Sequence, residues 1–182
     1  LMQGAQIDTF GVGERLITSK SDPVFGCVYK LAAVENENGT IIPKIKVSEN
    51  TAKITNPHFK RVYRLFDNES GKALADELCI HDERISEDCP HTIFDPETTW
   101  KTKTLTNFTA KELLVPVFRG GTCVYEIPPL NAVKAYCAEQ VESLWDEVKR
   151  FENPHKYYVD LSRRLWDVKH ALLEKNKQGK PD

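Results

Sequence analysis

A chain of 182 residues with 40% hydrophobic content is long enough to bury a core as one domain or two small ones. Its 25 Lys and Arg against 27 Asp and Glu leave a formal charge of -2, which excludes a global electrostatic attraction to nucleic acid or to a membrane surface. No run of 18 apolar residues occurs and the first residues lack the basic start and apolar core of a signal peptide, so no membrane segment is expected. Five widely spaced cysteines, Cys27, Cys79, Cys89, Cys123 and Cys137, form no disulfide framework and fit reduced thiols in a cytoplasmic protein. Asn-x-Ser/Thr patterns begin at Asn38, Asn68 and Asn107, and without a signal peptide they are read as chance.

The chain opens with GAQIDTFGVGERLITSK. Ile7 to Phe10 predicts a short strand, Gly11-Val12-Gly13 a turn, and GERLITSK a short helix. Two glycines after a strand let an anion approach bare backbone amides, while the alternative is a plain tight turn. A Rossmann fingerprint would need a third glycine where Leu16 stands, and no glycine precedes Lys-Ser or Lys-Thr at P-loop spacing. A lone βα unit leaves its strand without neighbours, so residues 1–24 read as the end of a larger α/β body.

Residues 25–127 read as a β-rich region of mostly antiparallel pairs. GCVYKLAAV and IIPKIKV flank ENENGT, whose Asn38-Gly39 favours a hairpin. In the second run Ile45 and Val47 alternate with Lys44 and Lys46, and Pro43 argues for an edge. KRVYRLFD and KALADELCI pair around NESG, and ELLVPVF and TCVYEI around RGG.

Residues 128–182 read as C-terminal helices. Pro128 and Pro129 suit a helix start, and Leu130, Val133, Cys137, Val141, Leu144, Val148 and Phe151 recur at spacings of three and four, a stripe expected to be buried. Asn153-Pro154 ends that helix. A second is expected from Asp160 as N-cap, with Leu161, Leu165, Val168 and Leu172 on one face, and the tail KNKQGKPD is expected to fray. Trp145, Tyr157, Tyr158 and Trp166 are read as aromatics packing against these helices.

Two constellations outside the glycine turn invite a chemical reading. Cys79-x-His81 and Cys89-x-His91 place sulfur and imidazole two residues apart, a donor set that suits zinc, against the alternative of a core thiol and a surface imidazole. Lys44, Lys46, Lys53, Lys60, Arg61 and Arg64 lie among Phe59 and Tyr63, with WKTK from Trp100. This mixture would suit phosphate or single strands, against the alternative of a solvated sheet face.

Taken in order, GAQIDTFGVGERLIT, FGCVYKL, KIKVSEN with KITNP, VYRLFD, HTIFDPETTWKTKTLTNF, ELLVPVF and YYVDLS resemble the C-terminal part of bacterial nicotinate phosphoribosyltransferase across nearly the whole chain. The resemblance implies an enzyme of NAD salvage that joins nicotinate to phosphoribosyl diphosphate, coupled to ATP hydrolysis and requiring Mg2+. It also implies an irregular α/β barrel with a second β-rich domain, in a cytoplasmic homodimer. It makes Gly11, Val12, Gly13 and Glu14 the loop after a late barrel strand whose amides hold the 5′-phosphate. Some members carry threonine after the second glycine, whereas Glu14 stands here, so that position is expected to offer its amide with the carboxylate turned toward Arg15. The family's transiently phosphorylated histidine and nicotinate-binding arginine belong to its earlier portion. An N-terminal portion of the same protein is therefore the expected partner, with neither cofactor bound and no turnover by this chain alone. The rival reading is a non-enzymatic β-rich interaction domain, with or without zinc.

Overall fold

The computed structural model describes residues 4–24 and 29–177. It divides into two units, Leu1–Lys30 and Leu31–Asp182. In the first, residues 5–12 run without strand pairing, so the strand expected at Ile7–Phe10 is not formed among the described residues. A strand needs a neighbour to take its backbone groups, and none is supplied here. The short helix does form, as α1 (Glu14–Ile17) with Gly13 as N-cap.

The second unit opens with the expected hairpin, β1 (Ala33–Glu35) and β2 (Ile41–Pro43), paired antiparallel around Asn36–Thr40. The Asn36 side chain accepts the amides of Asn38 and Thr40 at 3.1 and 2.9 Å, an Asx arrangement that closes the turn. The strands are shorter than the apolar runs suggested. β2 stops at Pro43, and Val47 is 46% exposed, so no buried alternation continues through Ile45 and Val47. Cys27 and the start of GCVYKLAAV lie outside the described residues, as do residues 178–182 of the tail.

The centre of the unit is a four-stranded sheet. β3 (Lys60–Asp67) and β4 (Ala73–Ile80) form an antiparallel hairpin, as their alternation and the intervening NESG predict. Asp67 Oδ2 accepts the Ser70 amide at 2.9 Å within that turn. A second hairpin, β5 (His91–Phe94) with β6 (Thr102–Leu105), follows, and β7 (Phe108–Glu112) adds antiparallel to β3. Tyr63, Leu65, Ala75, Cys79, Ile93, Leu105 and Phe108 make the main core. Burial stabilises each large apolar side chain in it by about 1.5–3 kcal/mol.

β8 (Phe118–Arg119) and β9 (Thr122–Cys123) close a third hairpin whose two central residues, Gly120 and Gly121, have φ of +55° and +80°. A tight turn with positive φ at both centres matches the twist of paired strands and favours glycine. Just outside these two-residue strands the Val124 amide still donates to the Val117 carbonyl at 2.8 Å, and Val115, Val117, Phe118 and Ile127 are exposed.

The C-terminal region departs most from expectation. α2 (Leu130–Glu142) starts at Pro129 as anticipated but stops at Ser143, a separate turn α3 (Asp146–Lys149) follows, and the chain is non-helical at Phe151. No residue of α2 is buried. Leu130 is 73% and Phe151 90% exposed, while Leu144 and Val148 are half-buried, so the stripe read as core is covered only around Leu144 and Val148 among the described residues. Asp160 is not an N-cap either. It sits in β10 (Val159–Leu161), which pairs parallel with β4 and completes the order β10-β4-β3-β7. α4 (Arg163–Lys177) begins three residues later, capped by Ser162, whose Oγ accepts the Leu165 amide at 3.2 Å. Leu165 is fully buried against Leu161 and Ile80.

Candidate functional site

Two places carry the chemistry, one in each unit. In the first, Gly11 to Glu14 are all exposed, and Gly13 has φ −97° and ψ 175°. Neither Gly11 nor Gly13 adopts the left-handed region, and a side chain built on either meets nothing within 4 Å. Nothing inside this chain therefore demands glycine there. Gly13 O accepts the amides of Leu16 and Ile17 at 3.1 and 3.3 Å, while the earlier amides at a helix start have no intrahelical acceptor.

In the second unit the sheet brings together acidic side chains from strands distant in sequence. On β3 and β4, Arg64 Nε and Nη2 donate to Asp76 Oδ1 and Oδ2 at 2.8 and 2.9 Å. The Tyr157 hydroxyl donates to Asp76 Oδ1 at 2.9 Å, and Arg64 Nη1 donates to Gln140 at 3.2 Å. Burial, with the hydrogen bond to Asp76 second, holds the Tyr157 hydroxyl above its ordinary range. The neighbouring Glu77, 3% exposed, meets His91 Nε2 at 2.6 Å, and that contact raises the imidazole pKa above 6.5.

Beside these pairs Asp160 is 3% exposed, and its Oδ1 has no hydrogen-bond partner among the described residues. Burial first, then the charges of Asp95 and Glu77, push its pKa up to about 6. It lines a cavity of about 610 Å³ between the β5–β6 hairpin and residues 145–158, with Phe94, Trp145 and Tyr158 among the aromatic walls.

The metal-like set is not assembled. Cys79 belongs to the core, where burial, then Glu77 and Glu83, raise its thiol above the ordinary range, and Cys89 is exposed. His91 is engaged by Glu77, while the His81 ring lies 5.1 Å from that of Phe59. Among the described residues no three His, Cys, Asp or Glu side chains are gathered so as to hold a metal ion. Three of the basic residues are likewise spent on internal partners. Lys60 Nζ donates to the carbonyls of Asn56, Pro57 and His58, Arg61 pairs with Glu112 at 2.6 Å, and Arg64 with Asp76. Of the aromatics read as helix-packing, Trp166 does stack on His170 at 3.6 Å within α4, but Tyr157 serves the Asp76 cluster. Asp160 and its cavity were not singled out from the sequence. A lone Asp in YYVDLS carries a capping signal and no sign of burial.

A strand order β10-β4-β3-β7 closed by a C-terminal helix defines a domain type, and residues 59–169 match the family model of the nicotinate phosphoribosyltransferase C-terminal domain. The chain is 38% identical over 175 residues to the nicotinate phosphoribosyltransferase of Bacillus subtilis (strain 168), covering 96% of this chain and 36% of that protein. It is 34% identical over 178 residues to the Dictyostelium discoideum nicotinate phosphoribosyltransferase, covering 93% of this chain and 29% of that one. The crystal structure of human nicotinic acid phosphoribosyltransferase superposes with a TM-score of 0.59 at 24% identity, over 65% of this chain and 24% of that one, a likeness of fold. The chain belongs to the nicotinate phosphoribosyltransferase family and represents its C-terminal domain. It spans about a third of the length of the curated relatives it matches. No helix among the described residues is long and apolar enough to cross a membrane.

Proposed function

We propose that this chain serves as the C-terminal part of a cytoplasmic, homodimeric nicotinate phosphoribosyltransferase. That enzyme joins nicotinate to phosphoribosyl diphosphate, releasing diphosphate and forming nicotinate mononucleotide with ATP hydrolysis coupled. The observation that carries this reading is the family match over residues 59–169.

Within that reaction the share of this chain is positional. The backbone amides of Gly11, Val12, Gly13 and Glu14 receive the 5′-phosphate of the ribosyl donor. Support comes from the open backbone there, since an added side chain on Gly11 or Gly13 would meet nothing within 4 Å, which leaves room for an anion to approach their amides. Holding that phosphate fixes the ribose relative to the attacking ring nitrogen, and such positioning lowers a barrier by up to about 7–11 kcal/mol when all reacting groups are held.

The test has two arms. The chain alone, mixed with nicotinate, phosphoribosyl diphosphate, ATP and magnesium, is expected to yield no nicotinate mononucleotide by chromatography. Turnover comparable to an intact family enzyme would overturn the positional role. In an enzyme that carries this chain as its C-terminal part, Gly13→Val is expected to raise KM for phosphoribosyl diphosphate more than for nicotinate, and unchanged kinetics would remove the loop from the site.

A further inference from the structure

The β8–β9 ribbon has an edge that can still be extended. Phe118 pairs with Cys123 and Arg119 with Thr122, and the Val124 amide donates to the Val117 carbonyl. Backbone groups alternate across an antiparallel ladder, so those of Cys123 point away from β8, and by the same alternation the Tyr125 amide does too. Neither has a backbone partner among the described residues, and the Tyr125 carbonyl takes the weak thiol contact of Cys123 at 3.7 Å. On the opposite edge Pro116 has no N–H to offer, so the β9 side is the one that can receive another strand.

Phe118 and Cys123 lie on one face of the ribbon and Val117 and Val124 on the other, all exposed, and Ile127 beyond them is 89% exposed. Strands apolar on both sides belong in a sheet covered by a layer on each face, and a two-stranded ribbon is marginal by itself in water. The helix α2 that follows is tied to the sheet near its end, through Gln140 and Glu142, while Leu130, Val133 and Tyr136 along its first two turns are exposed. A second copy added edge to edge would give four strands still bare on both faces. The cover must come from a larger body, and the family has the length for one, since this chain spans about a third of its relatives. Resting on the reading of this chain as part of a nicotinate phosphoribosyltransferase, we propose that the outer edge of β9 takes an extended strand from the remaining two thirds of that enzyme. The same body then covers both faces of the ribbon and the first turns of α2.

Amide hydrogen exchange, read by mass spectrometry over residues 121–127, tests this by comparing the chain alone with an intact enzyme that carries it as its C-terminal part. The Cys123 and Tyr125 amides are expected to exchange about a hundredfold or more slowly in the intact enzyme than in the chain alone. Tyr125→Pro deletes an amide that is unbonded in the chain alone, so it is expected to leave the chain's urea midpoint unchanged and to lower that of the intact enzyme. Fast exchange in the intact enzyme would overturn the proposal. So would protection in the chain alone that grows with its concentration, which would assign the edge to a second copy. The exchange comparison needs no variant, so it decides the matter even if Tyr125→Pro misfolds. An enzyme that forms nicotinate mononucleotide while these amides exchange fast sinks this inference alone, whereas protected amides in an enzyme without that activity sink the functional reading alone.

Discussion

Arg64 and Asp76 face each other across the β3–β4 hairpin as a two-pronged pair, Nε to Oδ1 at 2.8 Å and Nη2 to Oδ2 at 2.9 Å. Their side chains are only 19% and 12% exposed, and the same carboxylate also accepts from Tyr157. Truncating one partner leaves the other charge half-desolvated, so Asp76→Ala is expected to cost about 3–5 kcal/mol in urea unfolding. Tyr157→Phe, which removes one neutral donor, is expected to cost about 1 kcal/mol. The double replacement Arg64→Met with Asp76→Leu is expected to be far milder than Asp76→Ala, and a cost equal to the single truncation would show that the charges contribute net stability.

His91 and Glu77 set a pH dependence of ordinary sign for a histidine. Contact with the carboxylate raises the folded imidazole pKa above its unfolded value of 6.5, so the pair's contribution is fully present below that value. It is lost as pH rises through the folded pKa. Glu77→Gln is expected to lower the His91 pKa in an NMR titration, and to reduce stability more at pH 5.5 than at pH 8.5.

Asp160 behaves in the opposite way from a salt-bridged carboxylate. It faces Asp95 from the loop after β5, Glu77 from β4 and Lys156 before β10, and burial is the largest influence, with a folded pKa of about 6 against 3.8. The folded state holds the proton more tightly, so this group's contribution to stability falls as pH rises from 3.8 to about 6 and stays low above it. Asp160→Asn is expected to flatten that slope, giving a higher urea midpoint than the unaltered chain at pH 8 and little difference at pH 3.5.

Leu165 and Val133 separate a buried helix face from an exposed one. Leu165 is 0% exposed, and Leu165→Ala is expected to cost about 2–5 kcal/mol. Val133 is 46% exposed on α2, and Val133→Ala is expected to stay within about 0.5 kcal/mol. Equal losses at both positions in thermal unfolding would mean that α2 is covered in solution.

Legibility in the sequence followed locality. The β3–β4 hairpin could be read because alternating residues and a polar turn lie side by side in the chain, and the Gly120-Gly121 turn because its backbone demand names its residue. β10 could not, since three residues paired to a distant strand leave no period to detect, and Asp160 imitates a cap. Periodicity also reported α2 correctly as a helix but said nothing of whether a surface opposes it. The glycine loop was visible as a motif, whereas the Asp160 cavity was not, because β4, the β5–β6 hairpin and residues 145–158 meet only after folding. Cys79 and His91 illustrate the converse, residues with ligand chemistry that the fold commits to packing and to Glu77.

The parallel pairing of β10 with β4 fixes an order of events during synthesis. β3, β4 and β7 are complete long before Val159 leaves the ribosome, so the nascent sheet waits with the outer edge of β4 unpaired. An open edge of that kind invites pairing with another chain, and long-range closure of this type is slow. Premature termination anywhere between Glu112 and Val159 would therefore release a sheet that retains its hairpins yet presents a sticky side, making such truncated products prone to aggregation rather than merely less stable.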